Sequence, residues 1–122
     1  MKIVVADSNP LFRAGLRVLI ERDSRMAVIV ETGSGPDLFT ALYRHSPDAV
    51  VVSSRISGLD VFEIAQTIRS ASVGTKVITI TERPHRNWFR KARKVTAHKC
   101  LSKVGSFARL HEALCTALPM PQ

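Results

Sequence analysis

Four apolar runs in this chain end in residues able to do chemistry. Residues 2–6 run into Asp7-Ser8, 48–52 into Ser53-Ser54, 76–80 into Thr81, and a weaker run near residue 100 into Lys103. Brought together, these would offer one carboxylate, a set of hydroxyls and one ammonium. A hard cation such as Mg²⁺ takes carboxylate oxygens in octahedral geometry, so a single carboxylate among neutral hydroxyls makes a poor site for it. A nucleophilic serine needs a general base within hydrogen-bond reach. None of the four histidines (His45, His85, His98, His111) falls at the end of a run. Ser53 accordingly reads as a small polar filler, and Asp7 with Lys103 as an ion pair.

The other concentration of chemistry is charge. The net charge is +8. Residues 1–82 hold nine Lys/Arg and nine Asp/Glu, whereas residues 83–122 hold nine Lys/Arg and one acid, Glu112. Arg83, Arg86, Arg90, Lys91, Arg93, Lys94 and Lys99 supply most of that excess. Fixed like charges repel unless something compensates them, so the segment suggests an anionic partner or a solvated face. Trp88 and Phe89 lie within it, and aromatic stacking beside arginines is one way to hold nucleic acid. Trp88 also shares a helical stripe with Ala92 and Val95, which reads more simply as core. Cys100 and Cys115 are too few for a disulfide framework and show neither CxxC nor Cys/His zinc spacing. Free, reduced thiols near the core are expected.

Elements that could position these residues alternate along the chain. Residues 2–6 form a β-branched run, and Asn9-Pro10 then supplies an N-cap and a first helical position for which proline is suited. Phe12, Leu16, Leu19 and Ile20 recur at helical spacing through about Arg22. Residues 27–31 read as a second strand, and Ser34-Gly35-Pro36 opens a second helix that stops before Pro47. The run 48–53 is apolar on both faces, as a central parallel strand is. A third helix spans 59–69, a fourth strand 76–81, a basic fourth helix begins near Pro84, a fifth strand spans 97–102, and a fifth helix carries Phe107, Leu110, Leu114 and Ala117. Five such units with short connections predict an α/β single domain, a (βα)5 doubly wound parallel sheet. Ligands in such sheets sit at the carboxyl ends of the strands, which is where Asp7, Ser8, Ser53, Thr81 and Lys103 fall. No run is long enough to span a membrane, and with no signal-peptide pattern at the start a cytoplasmic location is expected.

Asp7-x-x-Pro10-Leu11-Phe12-Arg13-x-Gly15-Leu16 resembles the Asp-Asp-His-Pro-Leu-Phe-Arg-x-Gly-Leu of bacterial response-regulator receiver domains of the NarL/FixJ (LuxR-type) branch. Arg55, Gly58 and Asp60 match the loop after the third strand. The resemblance covers residues 1–118, leaving 119–122 as a tail or the start of a linker, and it implies the flavodoxin-like receiver fold. It also implies roles. Asp7 and Ser8 stand where the family has its acidic pair, Ser53 where it has the phospho-acceptor aspartate, and Thr81 and Lys103 where it has the hydroxyl and ammonium that contact phosphate. Cys100 takes the place of the switch aromatic, and Val104 that of a proline common after the lysine.

On this reading the phospho-acceptor site is degenerate, its Mg²⁺ site is lost, and no cofactor is expected. The chain would be a non-enzymatic, phosphorylation-independent receiver of a two-component-type transcription regulator. It would act through protein–protein contact, as a homodimer, with DNA reached indirectly through a separate helix-turn-helix domain. The first or fifth helix is the expected dimer face, with Phe12, Leu16, Leu110 and Leu114 on its borders. The alternative is a stand-alone adaptor or nucleic-acid-binding module that uses the basic helix 83–94.

Overall fold

The computed structural model describes residues 1–53, 56, 61–71, 74–81, 99–102 and 107–116. Within them lie strands β1 (Lys2–Ala6), β2 (Ala27–Thr32), β3 (Ala49–Ser53), β4 (Lys76–Thr81) and β5 (Lys99–Ser102), and helices α1 (Pro10–Ile20), α2 (Gly35–His45), α3 (Val61–Ala71) and α4 (Phe107–Thr116). The strands form one parallel sheet in the order β2-β1-β3-β4-β5. The basic segment 83–94 and Lys103 lie outside the described residues.

Alternation along the central strands builds two cores. Val4 and Ala6 of β1 and Val50 and Val52 of β3 face Leu38 of α2 and Ile64 and Ile68 of α3. Ile3 and Val5, with Ala49 and Val51, face Leu16 and Ile20 of α1 and Leu110, Ala113 and Leu114 of α4. Helices therefore cover both faces of the sheet, which is why residues 3–6 of β1 and 49–52 of β3 are apolar without alternation.

The helix signals act as expected at their starts. Asn9 caps α1, its side chain accepting from the N–H groups of Leu11 and Phe12, with Pro10 following at once. Ser34 caps α2 by accepting from the Asp37 N–H. Ends and edges shift by a residue or two. Helix α1 stops at Ile20 and not near Arg22, because the chain turns there, with Asp23 N–H donating to the Ile20 carbonyl at 3.2 Å. Asp48 stands outside β3, bonded to the Lys2 backbone through both its own backbone N–H (2.8 Å) and its carboxylate (2.7 Å). Strand β2 gains Thr32, β5 begins at Lys99, and the described part of the third helix runs from Val61 to Ala71.

One expectation is corrected outright. Leu16, Leu110 and Leu114 are not borders of a dimer face: all three are buried in the core between α1, α4 and the sheet. The large apolar residues that α1 does expose are Leu11 and Val18.

Candidate functional site at the strand ends

Sheet register assembles the site. Ala6 pairs with Val52 across β1 and β3, so Asp7 and Ser53 follow at neighbouring strand ends. Ser53 pairs in turn with Ile80, one residue before Thr81, and Thr81 pairs with Ser102. Four of the expected positions (Asp7, Ser8, Ser53 and Thr81) thus reach the same edge of the sheet. Lys103 would follow Ser102 but is outside the described residues, as is the Thr81 side chain. Cys100 lies inside β5, paired with Thr79.

Asp7 is fully buried and Ser53 is 2% exposed, while Ser8 is open to solvent. The Asp7 carboxylate is engaged locally, Oδ1 accepting from the Asn9 backbone N–H at 2.7 Å. That bond closes the turn between β1 and α1 and sets Asn9 up as a cap. The Asp7 backbone is fixed as well: its N–H donates to the Thr32 carbonyl at 3.0 Å, and its own carbonyl accepts from Arg13 Nη1 at 2.5 Å.

Arg13 is the residue at this edge whose part the sequence did not reveal. From the first turns of α1 it reaches back over the ends of β1 and β2, where its guanidinium approaches Glu31 at 3.7 Å. Arg17, one turn on, meets the same carboxylate at 3.1 Å and donates to the Val28 carbonyl at 2.6 Å. Gly33 leaves room for this arrangement, since a Cβ there would lie 3.1 Å from Arg13 Nη1. Arg13 was visible only as part of a motif; its role needs the folded distance between α1 and β2.

Chemically, the edge offers one buried carboxylate beside a buried hydroxyl. A hard dication needs more oxygen charge than that. Among the described residues, the one group of three His, Cys, Asp or Glu side chains close enough to share a metal ion lies elsewhere, at Asp23, His111 and Cys115. Among the described residues, the strand ends supply the Asp7 carboxylate and no second one.

Residues 3–115 match the response regulator receiver domain family. The chain belongs to that family. It is 25% identical over 81 residues to the nitrate/nitrite response regulator protein homolog of Haemophilus influenzae, covering 66% of this chain and 39% of that one. With the uncharacterized transcriptional regulatory protein YxjL of Bacillus subtilis it shares 30% identity over 81 residues, 66% of this chain and 37% of the relative. The match thus spans less than two fifths of either relative's length. Among solved structures, a LuxR-family two-component response regulator from Aurantimonas sp. SI85-9A1 superposes with a TM-score of 0.88 at 25% identity, covering 94% of this receiver and 82% of that chain. A LuxR-family DNA-binding response regulator from Staphylococcus aureus gives 0.88 at 21% identity, over 95% and 97% of the two chains, a likeness of fold. Receiver domains of such regulators are regulatory modules, and no helix among the described residues of this one is long and apolar enough to cross a membrane.

Proposed function

We propose that this receiver is the phosphorylation-independent regulatory module of a NarL/LuxR-type transcription regulator, signalling in the cytoplasm through protein–protein contact as a homodimer. The observation that carries the reading is the pairing at the strand ends of Asp7, whose carboxylate holds a turn, with Ser53, a buried hydroxyl. Phosphoryl transfer to an aspartate requires that aspartate and a metal to offset charge on the incoming group. Ser8 and Ser53 supply neither a second nor a third carboxylate. Retention of Asp7 has a structural cause in the β1–α1 turn, so it is no sign of retained chemistry. DNA recognition then belongs to a helix-turn-helix domain outside these 122 residues.

Acetyl phosphate or phosphoramidate with Mg²⁺ tests this directly. Intact mass should be unchanged after treatment, and a single added phosphoryl group at any residue, stable or acid-labile, overturns the reading.

A second reading rests on the excess of positive charge in residues 83–122. There the receiver would be a stand-alone adaptor or nucleic-acid-binding module, recognisable by tight, strongly salt-dependent binding to duplexes. Beyond its arginines and Asn87, few groups in segment 83–94 suit base edges, so weak, sequence-independent binding is the expected result.

A further inference from the structure

At the opposite edge of the sheet, where the strands begin, three side chains of different chemistry converge. Helix α4 carries His111 and Cys115 four residues apart, hence one above the other on a single face. The turn after α1 brings Asp23 against them from 88 residues away in sequence. Asp23 Oδ2 lies 3.0 Å from His111 Nε2, and Cys115 Sγ lies 3.6 Å from the same nitrogen. All three ligand atoms fall within 4.8 Å of one another.

The two separations from Nε2 are close to edges of a coordination tetrahedron; Sγ also lies 3.9 Å from His111 Nδ1, so the imidazole must turn to aim Nε2 at a shared ion. Zinc bonds of about 2.3 Å to sulfur and 2.0–2.1 Å to nitrogen and oxygen set N···S near 3.6 Å and N···O near 3.3 Å. The donor set of one thiolate, one imidazole and one carboxylate also selects a borderline-soft ion over Mg²⁺ or Ca²⁺. A way in exists as well. Asp23 and His111 border an open hollow of about 500 Å³, with Leu19, Arg22 and Ser24 as its other walls.

The cluster already holds a cation of its own. Arg25 Nη2 sits 2.6 Å from Asp23 Oδ2 and 3.5 Å from Cys115 Sγ, bridging two of the three donors. Its side chain is 59% exposed, so it can swing into solvent.

We propose that Asp23, His111 and Cys115 form a binding site for a zinc-class divalent cation, with Arg25 as the internal counter-ion that the metal displaces. On binding, the Cys115 thiol releases its proton to solvent, and His111 donates through Nε2 as a neutral imidazole. Water fills the fourth position on the side of the hollow. The bound ion clips the α1–β2 turn to α4, so it stabilises the fold by mass action.

Tag-free protein in oxygen-free buffer, titrated with Co²⁺, tests the site. One equivalent should give a near-ultraviolet sulfur-to-cobalt band with the strong visible bands of a tetrahedral ion, bleached by Zn²⁺, and Zn²⁺ should raise the melting temperature. Cys115→Ser should abolish the sulfur band. His111→Gln should weaken binding by more than the roughly 10–100-fold that loss of an outer-shell partner already costs. Arg25→Met should tighten it. Circular dichroism of each metal-free variant checks folding, and His111→Gln carries the test alone if Cys115→Ser does not fold. Absence of both the cobalt spectrum and the zinc shift in the wild-type chain overturns the site, as does a sulfur band that survives Cys115→Ser. Unchanged affinity in Arg25→Met overturns the displacement.

Discussion

A buried carboxylate is costly unless something satisfies it, and Asp7 is satisfied in part by the turn it closes. Ser53 keeps that arrangement stable by being neutral. Placing a second carboxylate at the neighbouring, equally buried strand end sets two like charges close together, and their repulsion disfavours the folded state. Restoring acids as Ser8→Asp with Ser53→Asp should therefore destabilise the metal-free fold by about 1–3 kcal/mol. Most of that belongs to position 53, since Ser8 is open to water. Thermal melting without Mg²⁺ reads it out, and a melting temperature above wild type would contradict the placement of these residues side by side. At the opposite edge, hydrogen bonds from the Arg25 side chain and backbone, then from His111, hold the Asp23 carboxyl well below the usual carboxylate range. That carboxylate is thus kept charged for whichever cation it pairs with.

Helix α2 shows how an element can be legible except at the residue that ends it. Pro47 signals a stop, and the helix ends at His45 with Ser46 as its cap. Ser46 adopts φ 45°, the left-handed region, while its N–H donates to the Leu42 carbonyl at 3.1 Å. An L-residue with a side chain pays about 1–2 kcal/mol there, and glycine's extra backbone freedom returns roughly 0.5–1 kcal/mol of the gain. Ser46→Gly should then stabilise the domain by about 0.5–1 kcal/mol, seen as a higher urea midpoint at unchanged slope. A lower midpoint would mean that the serine side chain makes a contact worth more than the strain. The same division explains what the sequence revealed. Period and capping are local, so β1, β3, β4 and the starts of α1 and α2 could be read, and with them Asp7, Ser8 and Ser53 at the strand ends. Distances between elements are not local. The i,i+4 spacing of His111 and Cys115 is there in the sequence, but nothing in it brings Asp23, 88 residues away, to that pair. Leu110 and Leu114 failed as border residues for a related reason: a helical stripe shows which side is apolar but not how deeply it packs.

Considered as a whole molecule, the receiver is one sheet wrapped on both faces, and α1 retains an apolar surface that the core does not use. Leu11 is 80% and Val18 62% exposed. Between them Ala14 and Gly15 are also open to solvent, completing an i, i+3, i+4, i+7 stripe opposite Leu16 and Ile20. Gly15 is not needed for packing within the chain, because a Cβ there would meet nothing within 4 Å. A glycine in mid-helix costs about 1 kcal/mol relative to alanine, a cost that close approach of a second helix would explain. Two-fold pairing of α1 with its copy is therefore the expected mode of self-association, closed two-folds being the commonest arrangement. Each copy carries +8, so the copies repel, and added salt should strengthen the dimer until the charge is screened. Sedimentation at micromolar concentration should show a dimer that tightens from low to physiological salt. Val18→Glu should return it to monomer, since a charge replaces apolar contact on the shared stripe, while leaving the far-ultraviolet spectrum and the monomer's melting unchanged. A monomer at every salt concentration removes the dimer, and a Val18→Glu dimer as tight as wild type moves it to another face.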